Sequence, residues 1–255
     1  NGLGAELQFP EDGEVAHTHP YGSLDEGIAA LAEPVDFAAA GMAPYYLDLR
    51  RTMQNAFPGE NVGFGFGLEG PLTTAYELRG EGVFVDLLDR PEATKEFLRL
   101  TTESIGQFHR FRCRVLGVEP VSPRAGGLAD DIASFVPPRL WPELVLPFWE
   151  QYYQARTTGT RHAHVENLKA EQLPFLEVIG LSGYDPSISP ALNPRIVAEG
   201  CRVPFQWRLP DMHLPLLSEK DVRDFVFRAA ADGAASVFVT VSEGITRPGR
   251  VEKLR

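Results

Sequence analysis

The chain has 255 residues, 44% of them hydrophobic, and 24 Lys+Arg against 35 Asp+Glu leave a net charge of −11. These figures exclude a disordered chain and a disulfide-stapled mini-protein, and the acidic balance argues against a nucleic-acid footprint, which needs basic patches. No apolar run reaches the roughly 18–20 residues of a membrane helix, and two cysteines without CxxC spacing, Cys113 and Cys201, point to a reducing cytoplasm.

The chain opens Asn1-Gly2-Leu3-Gly4, without Met or a signal pattern. Its first 60 residues hold weak strand candidates at Leu7–Phe9 and Val15–His19 and a helix around Leu24–Leu31. Short apolar segments then alternate with helical patterns. The strands expected are Val62–Leu68, Pro120–Ala125, His162–Glu166, Leu181–Asp185, Val203–Leu209 and Ser236–Val241. In the first, Gly63, Gly65 and Gly67 alternate with Phe64 and Phe66, as in a strand whose small residues face a crowded side. No Lys or Ser/Thr follows at phosphate-loop spacing. Asp89-Arg90-Pro91-Glu92 reads as a helix start, with Phe97, Thr101, Ile105, Phe108 and Val115 on one face and Gly117 as the stop. Leu140, Leu144, Phe148 and Tyr152 recur every four residues across Pro138–Ala155. Trp141, Trp149 and Tyr153 read as exposed aromatics of a packed surface, compatible with a homodimer. Ser218 to Asp221 caps a helix carrying Val222, Phe225, Val226 and Ala229, stopped at Gly233.

Strand-then-helix repeats with short links imply an α/β fold with a parallel sheet and right-handed crossovers, in one domain over residues 1–255. A (β/α)8 TIM barrel is the architecture expected, lacking its first one or two β/α units. An open doubly wound sheet is the rival.

In such folds the working residues project from the C-terminal ends of strands. His162, His164 and Glu166 share one face by alternation, which lets His164 and Glu166 reach one metal ion. Glu243, just past the last strand, supplies a second carboxylate, and open positions on the ion would admit a substrate atom. The plainer reading of His164 and Glu166 is a satisfied ion pair. Asp130 and Asp131 follow Gly126-Gly127 and can hold a substrate amine or hydroxyl, although Asp131 also reads as a helix cap. Asp185 supports a neighbouring ligand or starts the Asp185-Pro186 turn. Arg208 can hold a substrate carboxylate or pair with Asp211 on the surface. His17 and His19 have metal-compatible spacing but no nearby acid in sequence, which favours a loop role.

Taken together, several stretches resemble the uroporphyrinogen decarboxylase superfamily, which also contains corrinoid-dependent methyltransferases. They are Gly70-Pro71-Leu72-Thr73-Thr74-Ala75-Tyr76, Pro138-Arg139-Leu140-Trp141 with Val145-Leu146-Pro147-Phe148, His164-Val165-Glu166, Leu173-Pro174-Phe175-Leu176 and Ser242-Glu243-Gly244-Ile245. The likeness runs from about Gly2 to the C-terminus, and the family barrel begins earlier than this chain does, so an N-terminally incomplete member is expected. The methyltransferase branch carries His-x-Cys and a later Cys as zinc ligands. The resemblance carries these over as His164, Glu166 and Glu243, with both thiolates replaced by carboxylates. Zinc remains the first candidate, and harder ions such as manganese or iron(II) gain plausibility. The resemblance also implies a corrinoid supplied by a partner protein, and a small-molecule methyl donor or acceptor. Tyr76 matches the strand-end tyrosine of the decarboxylase branch with a one-residue gap. A tetrapyrrole or other carboxylate decarboxylase, for which Arg124 and Arg208 are the basic candidates, and a non-catalytic binding barrel are the alternatives.

Overall fold

A computed structural model describes residues 1–11 and 15–240. In chain order, β1 (Leu7–Gln8) and β2 (Ala16–His17) are followed by α1 (Leu24–Ala32), α2 (Ala43–Ala56), α3 (Pro71–Arg79), α4 (Gly82–Asp89) and α5 (Pro91–Leu116). Then come β3 (Gly126–Ala129), α6 (Trp141–Leu144), α7 (Leu146–Gln154), β4 (Arg161–His164), α8 (Pro174–Val178) and β5 (Gly183–Asp185). The described chain ends through α9 (Pro194–Gly200), β6 (Gln206–Arg208), α10 (Glu219–Ala231) and β7 (Ser236–Phe238). Contacts divide it into two compact units, residues 1–126 with 142–159 and residues 127–141 with 160–255. No change of composition marks any of the three crossings.

The first unit is built on α5, against which α1, α3, α4 and α7 pack. The spacing Phe97, Thr101, Ile105 becomes its buried stripe. Pro91 sits in the first turn, where a missing N–H costs nothing, and Gly117 (φ 68°) closes the last turn in the left-handed conformation. Arg90 is the N-cap, and Asp89 ends α4 instead. Residues 62–68 form no strand. Three glycines there give the backbone freedom without side chains to pack, and a Cβ at any of them would meet nothing within 4 Å, so their side faces open space. Residues 120–125 contribute one parallel bridge, Ser122 to Thr157. Pro120 and Pro123 remove two of the amides a ladder would use. The four-residue repeat over 138–155 is also interrupted, since Pro147 cannot donate to the Glu143 carbonyl and Val145 leaves the helical region. Trp149 and Tyr153 on α7, and Trp141, are completely buried. They are core residues and offer no aromatic surface for a dimer.

The second unit carries the parallel strands. β3, β4 and β5 lie side by side in chain order, with β4 and β5 parallel. β6 and β7 form a parallel pair, and a parallel bridge from Tyr184 to Phe205 joins the two groups. The strands succeed one another without the reversal of a doubly wound sheet. Among the described residues they form no closed barrel. The α10 cap is the one its sequence implies: Ser218 Oγ accepts from the Asp221 amide, and Asp221 answers with its carboxylate on the Ser218 amide.

Candidate active site

Parallel strands in chain order bring their C-terminal ends to one edge, and polar side chains of the second unit collect there. His164 ends β4 and is in register with Asp185 at the end of β5. Its Nδ1 lies 2.9 Å from Asp185 Oδ2. With Asp185 ionised, Nδ1 carries the proton, which leaves Nε2 as the free nitrogen. Nε2 faces Glu166 Oε1 at 3.8 Å and Asp131 Oδ1 at 3.9 Å. Arg208, ending β6, reaches the same Asp185 oxygen at 3.2 Å and lies over the Phe238 ring. The other Asp185 oxygen accepts from the Ser187 amide at 2.8 Å. A cavity of about 200 Å³ is lined by His162, His164, Asp185 and Gln206 among others. Gly183 keeps room for His162, since a Cβ there would run into the imidazole.

The electrostatics follow from the contacts. The hydrogen bond to Asp185 raises the His164 pKa, against the pull of burial, and the Asp185 and Asp131 charges add to the rise while Arg208 opposes it. Burial alone would lift the Asp185 carboxyl, but its bonds to His164 and the Ser187 amide, with the His164 and Arg208 charges, hold it below its ordinary range. Burial keeps Tyr184 a neutral phenol, with its pKa well above ordinary, and its hydroxyl donates to the Val165 carbonyl at 2.9 Å.

The remaining residues singled out in the sequence fall as follows. Asp130 is wholly buried, and its amide donates to the His164 carbonyl. Asp131 is no cap; it accepts the Glu166 amide. Arg208 pairs with Asp185 rather than Asp211. Tyr76 is not at a strand end: it sits within α3 of the first unit, against the rings of His19 and Phe84. His17 does meet an acid, in an ion pair with Glu77. That pair borders a larger cavity of about 500 Å³ in the first unit, walled mostly by apolar side chains such as Phe37, Phe66 and Phe108. The smaller cavity is the stronger candidate because His162, His164 and Asp185 line it, and Glu166, Asp131 and Arg208 approach the last two. Glu243 lies outside the described residues.

A divalent ion can be tested against these positions. Two ligands on one tetrahedral zinc, at 2.0–2.1 Å each, stand about 3.3 Å apart. His164 Nε2 and Glu166 Oε1 are half an ångström beyond that, within the swing of a partly exposed carboxylate. The Asp185 bond to Nδ1 is the orienting contact that metal-bound imidazoles carry. Among the described residues no group of three His, Cys, Asp or Glu side chains is placed to hold a metal ion. The pair fits two ligands, and a complete set needs a further one.

No family model matches the sequence, and no curated protein does. Among solved structures, a methyltransferase from Methanosarcina mazei is similar with a TM-score of 0.67 and 17% identity, over 93% of this chain and 69% of that one. At that identity the likeness is one of fold. No helix among the described residues is long and apolar enough to cross a membrane.

Proposed function

We propose that this chain is a metal-dependent methyltransferase of the uroporphyrinogen decarboxylase-like kind, a (β/α)8 barrel that moves a methyl group between a corrinoid protein and a thiol, folate or O/N-methyl substrate. The observation that carries the reading is the His164 imidazole, oriented by Asp185 and turned through Nε2 toward Glu166, on a chain with the fold of a methyltransferase. The unreversed strand order favours the barrel over a doubly wound sheet.

His164 and Glu166 would hold the ion, with Glu243 as the third ligand. Zinc is the first candidate, and the oxygen donors widen the choice to manganese or iron(II). When bound, the ion supplies Lewis-acid activation of an acceptor thiol or a methylated heteroatom. Asp185 holds the His164 tautomer and ring plane, so that Nε2 is the nitrogen presented. Arg208 offsets the Asp185 charge, and one of its guanidinium nitrogens is buried without a hydrogen-bond partner. The same salt bridge weakens the decarboxylase alternative, because Arg208 is engaged by a carboxylate of the chain itself and Arg124 is exposed.

The test is elemental analysis of protein purified at neutral pH without chelator, paired with methyl transfer from methylcobalamin to thiols. The reading expects a stoichiometric metal that His164→Ala and Glu166→Ala lose, and transfer that depends on it. Wild-type protein with neither metal nor transfer would overturn it.

A further inference from the structure

Beyond the residues that would meet a ligand, the turn carrying Glu166 is held in an unusual way. The β4 ladder ends when the Val165 amide donates to the Asp185 carbonyl at 3.1 Å. The next two amides have passed the sheet and need other partners. That of Glu166 donates to Asp131 Oδ1 at 2.7 Å, from the segment after β3. That of Asn167 donates to Ser189 Oγ at 2.7 Å, from the segment after β5. Ser189 is buried, and its hydroxyl proton goes to the Pro186 carbonyl, so the oxygen is free to accept. Between the two bonds the chain reverses, with Asn167 at φ 61°, a left-handed conformation that Asn tolerates better than most residues. Side chains from both neighbouring strand ends therefore grip successive amides of one reversing turn.

We infer that Asp131 and Ser189 are positioning residues, which fix the amides of Glu166 and Asn167 and so aim the Glu166 carboxylate at His164 Nε2. The inference rests on the metal-site reading given above. Without either grip the turn can relax about Asn167, and the 3.8 Å approach of Glu166 to His164 is no longer imposed. Asp131 acts here as an acceptor for an N–H. Asn in its place keeps an oxygen for that amide and loses only the charge, whereas Ala loses both.

Cobalt(II) titration of the full chain, followed by visible absorption and competed with a chelator, reads the geometry of the site directly. Asp131→Ala and Ser189→Ala are expected to weaken cobalt binding by about 10-fold or more, the scale of outer-shell losses at metal sites, and to alter the d–d spectrum. Asp131→Asn, which loses the charge 3.9 Å from His164 but keeps the amide acceptor, is expected to bind clearly more tightly than Asp131→Ala, and Ser189→Thr to recover binding lost in Ser189→Ala. If Asp131→Ala does not fold, Ser189→Ala, which removes one hydroxyl, carries the test. Alanine variants that bind like wild type overturn the inference and leave the metal reading standing. Asp131→Asn as weak as Asp131→Ala also overturns it, because charge would then outweigh the amide grip. Wild-type protein that takes up no cobalt brings down the metal reading itself, and the inference with it.

Discussion

Replacing Gln172 with Glu probes the support behind the candidate site by a change of one atom. Gln172 is completely buried in the second unit, where Pro137 and Pro138 create a need for it. Within a helical turn, the Ser134 carbonyl would take its hydrogen bond from residue 137 or 138, and neither proline has an N–H. Gln172 Nε2 supplies the missing donor at 3.1 Å and reaches the Val136 carbonyl at 2.9 Å, while its Oε1 accepts the Lys169 amide at 2.7 Å. The side chain thus ties the loop after β3, which includes Asp131, to the loop after β4, which includes Glu166.

Gln172→Glu keeps the acceptor for Lys169 and turns both donor contacts into oxygen facing oxygen. Val136 retains the Trp141 indole N–H at 3.1 Å, so the unsatisfied carbonyl is that of Ser134. The lost bond to Val136 costs about 1 kcal/mol and the Ser134 carbonyl left without a donor about 1–3 kcal/mol, so the loss is about 2–4 kcal/mol before the further cost of burying an ionised carboxylate at neutral pH. Against a typical domain stability of about 5–15 kcal/mol that is a large loss. Protonation restores one O–H donor. The folded-state pKa of the new carboxyl is therefore raised above its unfolded value of about 4.3, and stability is fully present below that pH and lost as pH rises through the folded value. Urea unfolding of both proteins between pH 4 and 8 measures this. The variant's deficit is expected to grow by about 2 kcal/mol across the range. A deficit that is constant with pH would refute the assignment of Nε2 as donor to both carbonyls.

Two further changes test the site and its surroundings. Asp185→Asn removes the charge paired with His164, so in metal-free protein the His164 pKa, raised in the wild type, should fall on NMR titration; an unchanged value would show that the contact does not govern the imidazole. Because His164 is raised and Asp185 lowered, the pair's contribution to stability is complete between about pH 4 and 6.5, fades as pH rises through the folded His164 value, and fades as pH falls through that of Asp185. In the first unit, Gly159→Ala would set a methyl group 2.6 Å from the Arg124 carbonyl oxygen and closer still to that of Pro123. Backbone cannot swing aside as a side chain does, so a loss of about 1–3 kcal/mol is expected in thermal unfolding, and a midpoint equal to wild type would contradict the packing.

Local patterns carried most of what was legible in the sequence. The α5 stripe, its Gly117 stop and the Ser218 cap depend on residues three to seven positions apart, and each formed as expected. The alternation of strands and helices over the second half likewise survives as parallel pairs, although the strands are shorter than their apolar runs. Where expectation failed, a local preference met a missing donor or a missing side chain. Residues 62–68 have the alternation of a strand but glycine at every other position, and residues 120–125 have two prolines in six. The buried aromatics Trp141, Trp149 and Tyr153 failed differently, because helical position alone does not say which face meets the core.

The candidate site shows the same division more sharply. His164 and Glu166 lie two positions apart, and alternation alone sets them on one face. Their partners come from far along the chain: Asp185 is 21 residues from His164, Ser189 is 22 from Asn167, and Asp131 is 35 from Glu166. None of these bonds has a sequence period, because each exists only once neighbouring parallel strands bring their ends together. Asp131 shows the consequence. An acidic residue after a glycine pair and before a short helical turn satisfies the local rule for a cap, and the turn forms, yet the carboxylate serves an amide of the next strand end instead. A buried or sheet-end N–H competes for acceptors as strongly as a helix start does. The side chains most easily mistaken for caps in a parallel α/β chain are thus those best placed to shape its site.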